Sequence, residues 1–140
     1  MDVLYTAEAL STGAGRDGRV TTIDGQLDLQ MAVPAEMGGS GDGANPELLF
    51  AAGYAACFHS ALQSVARAQK VALQDSSVGG RVQIGPDGSG GFMLAVHLEV
   101  VLPGVPEDRA RELADAAHAV CPYSNATRGN IDVTIAVSDD

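Results

Sequence analysis

At 140 residues, 46% of them hydrophobic, the chain has the apolar content for one core and is expected to form a single domain over residues 1–140. Its 18 Asp plus Glu against 8 Lys plus Arg give a formal charge of −10, which repels phosphate backbones and anionic lipid surfaces and so excludes nucleic acid and membrane as partners. No basic start followed by an apolar run suggests export, so the cytoplasm is the expected compartment.

Residues 3–9 alternate roughly around Tyr5 and read as a first strand. STGAGRDGR, residues 11–19, is a glycine-rich turn carrying Arg16 and Arg19. It lacks the Gly-Lys-Ser/Thr ending and the strand-to-helix context of a phosphate-cradling loop. Residues 20–23, a turn at Asp24-Gly25, and residues 27–33 with Leu27, Leu29 and Met31 on one face read as a hairpin.

A glycine-rich connection over residues 38–45 leads into the longest predicted element, a helix over residues 45–70. Asn45 is a preferred N-cap, Pro46 suits the first helical position, and Glu47 complements the positive end of the dipole. From Leu48 to Phe58 only Gly53 and the Tyr54 hydroxyl interrupt Leu, Phe, Ala and Cys, the pattern of a core helix. This apolar part ends short of the ~20 residues a bilayer requires. Past Gln63 the pattern becomes one-sided.

Strands over residues 77–84 and 91–102 follow, and the second turns Leu94, Val96, Leu98, Val100 and Leu102 to one side. A second helix over residues 106–120 places Leu113, Ala117 and Val120 inward and Glu107, Asp108, Arg111, Glu112 and Asp115 outward. Cys121-Pro122 must break it. A short helical turn over residues 123–127 and a last strand over residues 131–137 complete an α+β arrangement of antiparallel strands around two inner helices. One sheet and one amphipathic helix cannot cover a helix that is apolar all round, so a second copy across a two-fold axis is expected.

Chemistry rests on few residues. Cys57 alone reads as a small buried apolar side chain, whereas Cys121 precedes a proline that can open a short helix, where a thiolate is favoured. In a reducing compartment a bridge between the two would be chemistry rather than a staple. His59, His97 and His118 show no metal-ligand spacing, so no metal is expected. Arg16 and Glu47 are by default a loop charge and a first-turn residue, and the Asn125-Ala126-Thr127 sequon carries no meaning in a cytoplasmic protein.

The segments AHAVCPYSNATRGNIDV at 117–133 and NPELLFAAGYAACF at 45–58, with LYTAEA at 4–9, GRDGR at 15–19 and VLPG at 101–104, resemble the organic hydroperoxide resistance proteins. These form a branch of the family that includes the osmotically inducible protein C group, and the likeness covers essentially the whole chain. It implies the OsmC-like fold, antiparallel sheets packed around two inner helices in an intertwined homodimer. It also implies a thiol-dependent peroxidase without metal, haem or flavin: Cys57 attacks an organic hydroperoxide and becomes a sulfenic acid, and Cys121 resolves it as a disulfide. Lipoyl groups on dehydrogenase-complex subunits would reduce that disulfide.

The family pattern sets an arginine and a glutamate beside the reactive cysteine, matching Arg16 and Glu47 here. The turn is one residue longer before the arginine than the family's usual form, which makes Arg19 the second candidate. A buried thiol with a reference pKa of ~8.5 needs such a cation, held by a paired hydrogen bond to the glutamate. Leu48, Phe50, Tyr54 and Phe58 would give apolar surface suited to alkyl or fatty-acid hydroperoxides. On one regular helix Glu47 and Cys57 stand about 15 Å apart along the axis, so the groups are expected to meet across the dimer or through a break near Gly53. The competing readings are a non-catalytic binder of small apolar molecules at a dimer interface, its cysteines unreactive, and the broader-specificity osmotically inducible branch.

Overall fold

The computed structural model describes residues 1–140 and divides them into two compact units, Met1–Leu49 and Phe50–Asp140. In the first, β1 (Ala9–Thr12), β2 (Arg19–Thr22) and β3 (Asp28–Gln30) form an antiparallel sheet in that order. The expected hairpin is present. The Thr22 amide donates to the Leu27 carbonyl at 2.9 Å, and the Asp24 carboxylate accepts from the Thr22 hydroxyl and the Gln26 amide, so local polar groups close the turn.

The first strand lies later than its alternation suggests. A 3-10 turn at Gly15–Asp17 folds β1 back on β2 with Thr12 opposite Arg19 and Ala9 opposite Thr22. Beyond Ala9 the pairing continues only through the Ile23 amide, which donates to the Glu8 carbonyl at 3.1 Å, and the chain then turns away at Asp24-Gly25. Val3, Leu4 and Tyr5 are left exposed, Leu4 almost entirely at 99%.

Helix α1 (Pro46–Ala68) starts as expected, with the Asn45 side chain accepting from the Leu48 amide at 2.8 Å. It runs unbroken through Gly53, so the break considered above does not occur. The buried residues Tyr54, Phe58, Leu62 and Ala66 recur every fourth position, while Ala52, Ala56, Ser60 and Ser64 form an exposed stripe of small side chains. Contrary to the expectation from its apolar half alone, the 23-residue helix is long and apolar enough by composition to cross a membrane. A core helix meets the same measure, and the stripe from Tyr54 to Ala66 belongs to the core of the second unit.

The second sheet has the order β4 (Ser77–Pro86), β5 (Phe92–Val101), β6 (Val133–Ser138). Val96, Leu98 and Val100 are buried on the face the alternation assigns, and Leu102 continues it. β4 and β5 pair antiparallel, but β6 runs parallel to β5, Val96 opposite Val133, which corrects the all-antiparallel expectation. Between them the chain passes through α2 (Glu107–Val120) and α3 (Pro122–Thr127), the helical crossover that parallel neighbours require.

On α2, Ala110, Leu113, Ala114 and Ala117 are buried, whereas Val120 is exposed rather than inward. The inward place one turn beyond Ala117 belongs to Cys121, which has no exposed surface. Where α1 crosses β4, a Cβ on Gly80 would stand 2.8 Å from the Ala51 carbonyl oxygen and 3.4 Å from the Ala55 Cβ. Because the nearest atom is backbone, Gly80→Ala has to push the helix off the strand, and an expected loss of about 1–3 kcal/mol is checked by urea denaturation.

Candidate active site

Cys57 sits in the middle of α1, and Cys121 sits at the corner between α2 and α3. The Cys121 amide closes α2 on the Ala117 carbonyl at 2.8 Å, and its carbonyl accepts from the Asn125 amide at 2.9 Å to open α3. Pro122 at the first helical position forbids continuation of α2, so the extended Cys121 (ψ 124) turns its side chain toward α1. The two sulfurs, 64 positions apart in sequence, come to 3.5 Å as free thiols. Cys57 keeps partial access to solvent while Cys121 is buried.

Burial pushes the Cys57 thiol above its ordinary range, the backbone N–H of Tyr123 draws it partly back, and the neighbouring Cys121 sulfur adds to the rise. None of these influences is a cation. The Tyr123 ring covers Gly53, where a Cβ would lie 2.9 Å from its hydroxyl, and packs with Phe50 and Tyr54 at centroid separations of 6.1 and 5.7 Å.

Behind the sulfurs lies a buried polar network. The Tyr54 hydroxyl meets the Ser124 hydroxyl at 2.9 Å and that of Thr127 at 3.1 Å, and Nδ1 of His118 meets Ser124 at 2.8 Å. Burial first, and then the Arg128 charge, hold the His118 imidazole below its ordinary value against the opposite pull of Asp115. A buried hydroxyl left without a partner costs about 1–3 kcal/mol, and no buried side-chain polar atom here lacks one. Sequence reasoning missed this group. Its signal was the spacing of Ser124 and Thr127, one turn apart behind Cys121, with Thr127 set aside as part of a meaningless sequon.

In the first unit the Arg16 guanidinium forks onto the Glu47 carboxylate, with Nη1 to Oε2 at 2.8 Å and Nη2 to Oε1 at 2.6 Å. That hydrogen bond raises Arg16 and holds Glu47 below the usual carboxylate range, so both are charged at neutral pH. Arg19 forks instead onto Asp28 at 2.7 and 2.5 Å, on the surface. Of the two arginines, the structure joins Arg16 to Glu47.

The four expected substrate-facing residues separate. Leu48 is exposed, and Phe50 lines a cavity of about 600 Å³ with Phe92, Met93, Leu94 and Ile131. Tyr54 and Phe58 have no exposed surface, because they lie on the stripe of α1 that the core covers, so their apolar area goes to packing rather than to an opening. No three His, Cys, Asp or Glu side chains converge as metal ligands would.

The second unit, three strands with a parallel helical crossover and two free thiols from separate segments in contact, and the first, a three-stranded sheet with an Arg–Glu fork, define an α+β class. A family model described as OsmC-like protein matches residues 39–136. The organic hydroperoxide resistance protein of Xanthomonas axonopodis pv. citri is 50% identical, over 97% of this chain and 96% of its own length. Organic hydroperoxide resistance protein OhrB of Bacillus subtilis is 46% identical, over 94% and 96%. The crystal structure of an organic hydroperoxide resistance protein from Elizabethkingia anophelis matches at a TM-score of 0.95 and 48% identity, covering 100% of both chains. The chain belongs to the OsmC-like family, and within it to the organic hydroperoxide resistance proteins.

Proposed function

We propose that the chain is a thiol peroxidase that reduces organic hydroperoxides to alcohols. The observation that carries this reading is the meeting of two free sulfurs at 3.5 Å from positions 64 residues apart, one partly open to solvent and the other buried behind it. The Cys57 thiolate attacks the terminal oxygen of the hydroperoxide, the O–O bond breaks, and the alkoxide leaves and takes a proton as the alcohol. Cys57 becomes a sulfenic acid, and Cys121 condenses with it to a disulfide and water. A dithiol such as a lipoyl group on a partner protein, or dihydrolipoamide itself, returns both thiols by exchange.

The sulfur needs a cation that its own unit does not supply. We assign that role to Arg16, held in position by Glu47, contributed by a second copy of the chain in a two-fold dimer. The exposed Val3–Leu4–Tyr5 run and the small-residue stripe of α1 are the surfaces such a copy would cover. Leu48 and Phe50 remain the apolar residues open to an alkyl or fatty-acid chain, which favours organic substrates over hydrogen peroxide. The reducing chemistry suits the cytoplasm.

Thiol titration before and after cumene hydroperoxide tests the reading. Both thiols are expected to disappear together as the alcohol forms, and dihydrolipoamide is expected to restore them. Two thiols still free after exposure would leave the chain a binder of apolar molecules. Equal rates with hydrogen peroxide and cumene hydroperoxide would move it to the osmotically inducible branch.

A further inference from the structure

Among the contacts that join α1 to α3 and its N-cap Cys121, two repeat at matched spacing. Cys57 faces Cys121 at 3.5 Å, while Tyr54, three residues earlier on α1, bonds Ser124, three residues later in the chain, at 2.9 Å. Residues three apart share a helix face, so these contacts are two rungs of one ladder between oppositely directed segments. Helix α3 has only six residues and no side-chain cap, too little to hold itself in place.

The hydrogens of the second rung can be followed one by one. The Thr127 hydroxyl donates to the Ser124 carbonyl at 3.3 Å, so its oxygen is left to accept from Tyr54. Tyr54 has then spent its proton and accepts from Ser124, and Ser124 in turn accepts from the Nδ1–H of His118. Every hydroxyl donates once and accepts once. At the far end, the Arg128 guanidinium donates to the His118 carbonyl at 2.5 Å and ties the end of α3 back to α2.

We infer that Ser124, bonded between Tyr54 and His118, is a positioning residue for the resolving step and holds the Cys121 sulfur over Cys57 while the disulfide forms. This rests on the peroxidase reading. In that step the Cys121 thiolate attacks the Cys57 sulfenic sulfur, the S–S bond forms, the S–O bond breaks, and the departing hydroxide takes up the thiol proton as water. No further oxidant or reductant is consumed. The sulfurs must close from 3.5 Å to about 2.05 Å, so the second rung fixes the register of α3 at the point where about 1.5 Å of movement decides the reaction. Misplacement of reacting groups by ~1 Å can cost up to roughly a hundredfold in rate.

The test is single-turnover oxidation of the full chain by cumene hydroperoxide, quenched at intervals and read by mass spectrometry as sulfenic acid and then disulfide. Ser124→Ala is expected to form sulfenic acid within about twofold of the native rate and to close the disulfide roughly tenfold more slowly or worse. Tyr54→Phe is expected to slow closure by a similar factor, and the double variant to be no slower than either, since all three break the same Tyr54–Ser124 bond. A loss of fold stability alone would not separate the two phases. Native closure rates in Ser124→Ala, or penalties that simply add in the double variant, would overturn the inference and leave the peroxidase reading standing. A native chain that forms no sulfenic acid would end both. Should Ser124→Ala fail to fold, the closure rate of Tyr54→Phe decides the matter by the same outcomes.

Discussion

Cys57→Ser is expected to consume organic hydroperoxide no faster than a solution lacking the protein, whereas Cys121→Ser consumes a single equivalent per chain and stops. The asymmetry follows from burial. Cys57 retains access to solvent, so a hydroperoxide can reach its sulfur, while Cys121 is closed off and meets only Cys57. A serine hydroxyl in place of Cys57 is a far weaker nucleophile at neutral pH and no redox centre at all. With Cys121 replaced, the sulfenic acid on Cys57 has no partner within the chain and persists, at stoichiometric hydroperoxide, until a trapping reagent caps it. Stopped-flow oxidation with a bulky organic hydroperoxide, with sulfenic acid trapped in parallel, measures both variants. Sustained turnover by Cys57→Ser would sink the assignment.

Arg16→Lys is expected to lower kcat/KM by roughly 10²–10³ and to displace the alkaline rise of its pH profile to higher pH. The sign comes from the thiol. Burial raises Cys57, and its immediate neighbours offset this only through the Tyr123 amide, so any cation at the sulfur must act by lowering it. Removing that cation lets the thiol return upward, and the thiolate fraction at a given pH falls. Lysine keeps the charge but loses the fork that sets Arg16 on Glu47 at 2.8 and 2.6 Å, and a single ammonium is not held in that plane. Glu47→Gln is expected to act in the same direction and less strongly, because the guanidinium survives but loses its charged anchor. Wild-type pH dependence in Arg16→Lys would argue against a role for this pair in activating the sulfur.

Legibility followed the range of the interaction that decides each feature. The N-cap at Asn45, the turn at Asp24-Gly25, the alternation of β5 and the stop at Cys121-Pro122 each depend on backbone geometry within a few residues. Local composition suffices for them. Residues 3–9 carry a strand pattern as good as many, yet a strand exists only where a partner extends its ladder, and past Thr22 that partner offers one bond, from Ile23 to Glu8, before turning away. Val120 and Cys121 differ by one helical step, and which of them faces inward depends on how α2 lies on the sheet.

The sequence by itself determined where helices begin and end, which face of β5 is buried, and which two side chains are able to carry thiol chemistry, because propensity, periodicity and side-chain type are properties of neighbouring residues. Only the tertiary structure decided that β6 runs parallel to β5, that Arg16 rather than Arg19 grips Glu47, and that Tyr54, Ser124 and His118 form one chain behind the sulfurs. It also brought Cys57 and Cys121 to 3.5 Å. These depend on how the α2–α3 crossover returns over α1, and on which groups a folded turn leaves within about 3 Å of one another, distances that residues far apart in the chain reach only after the core has closed.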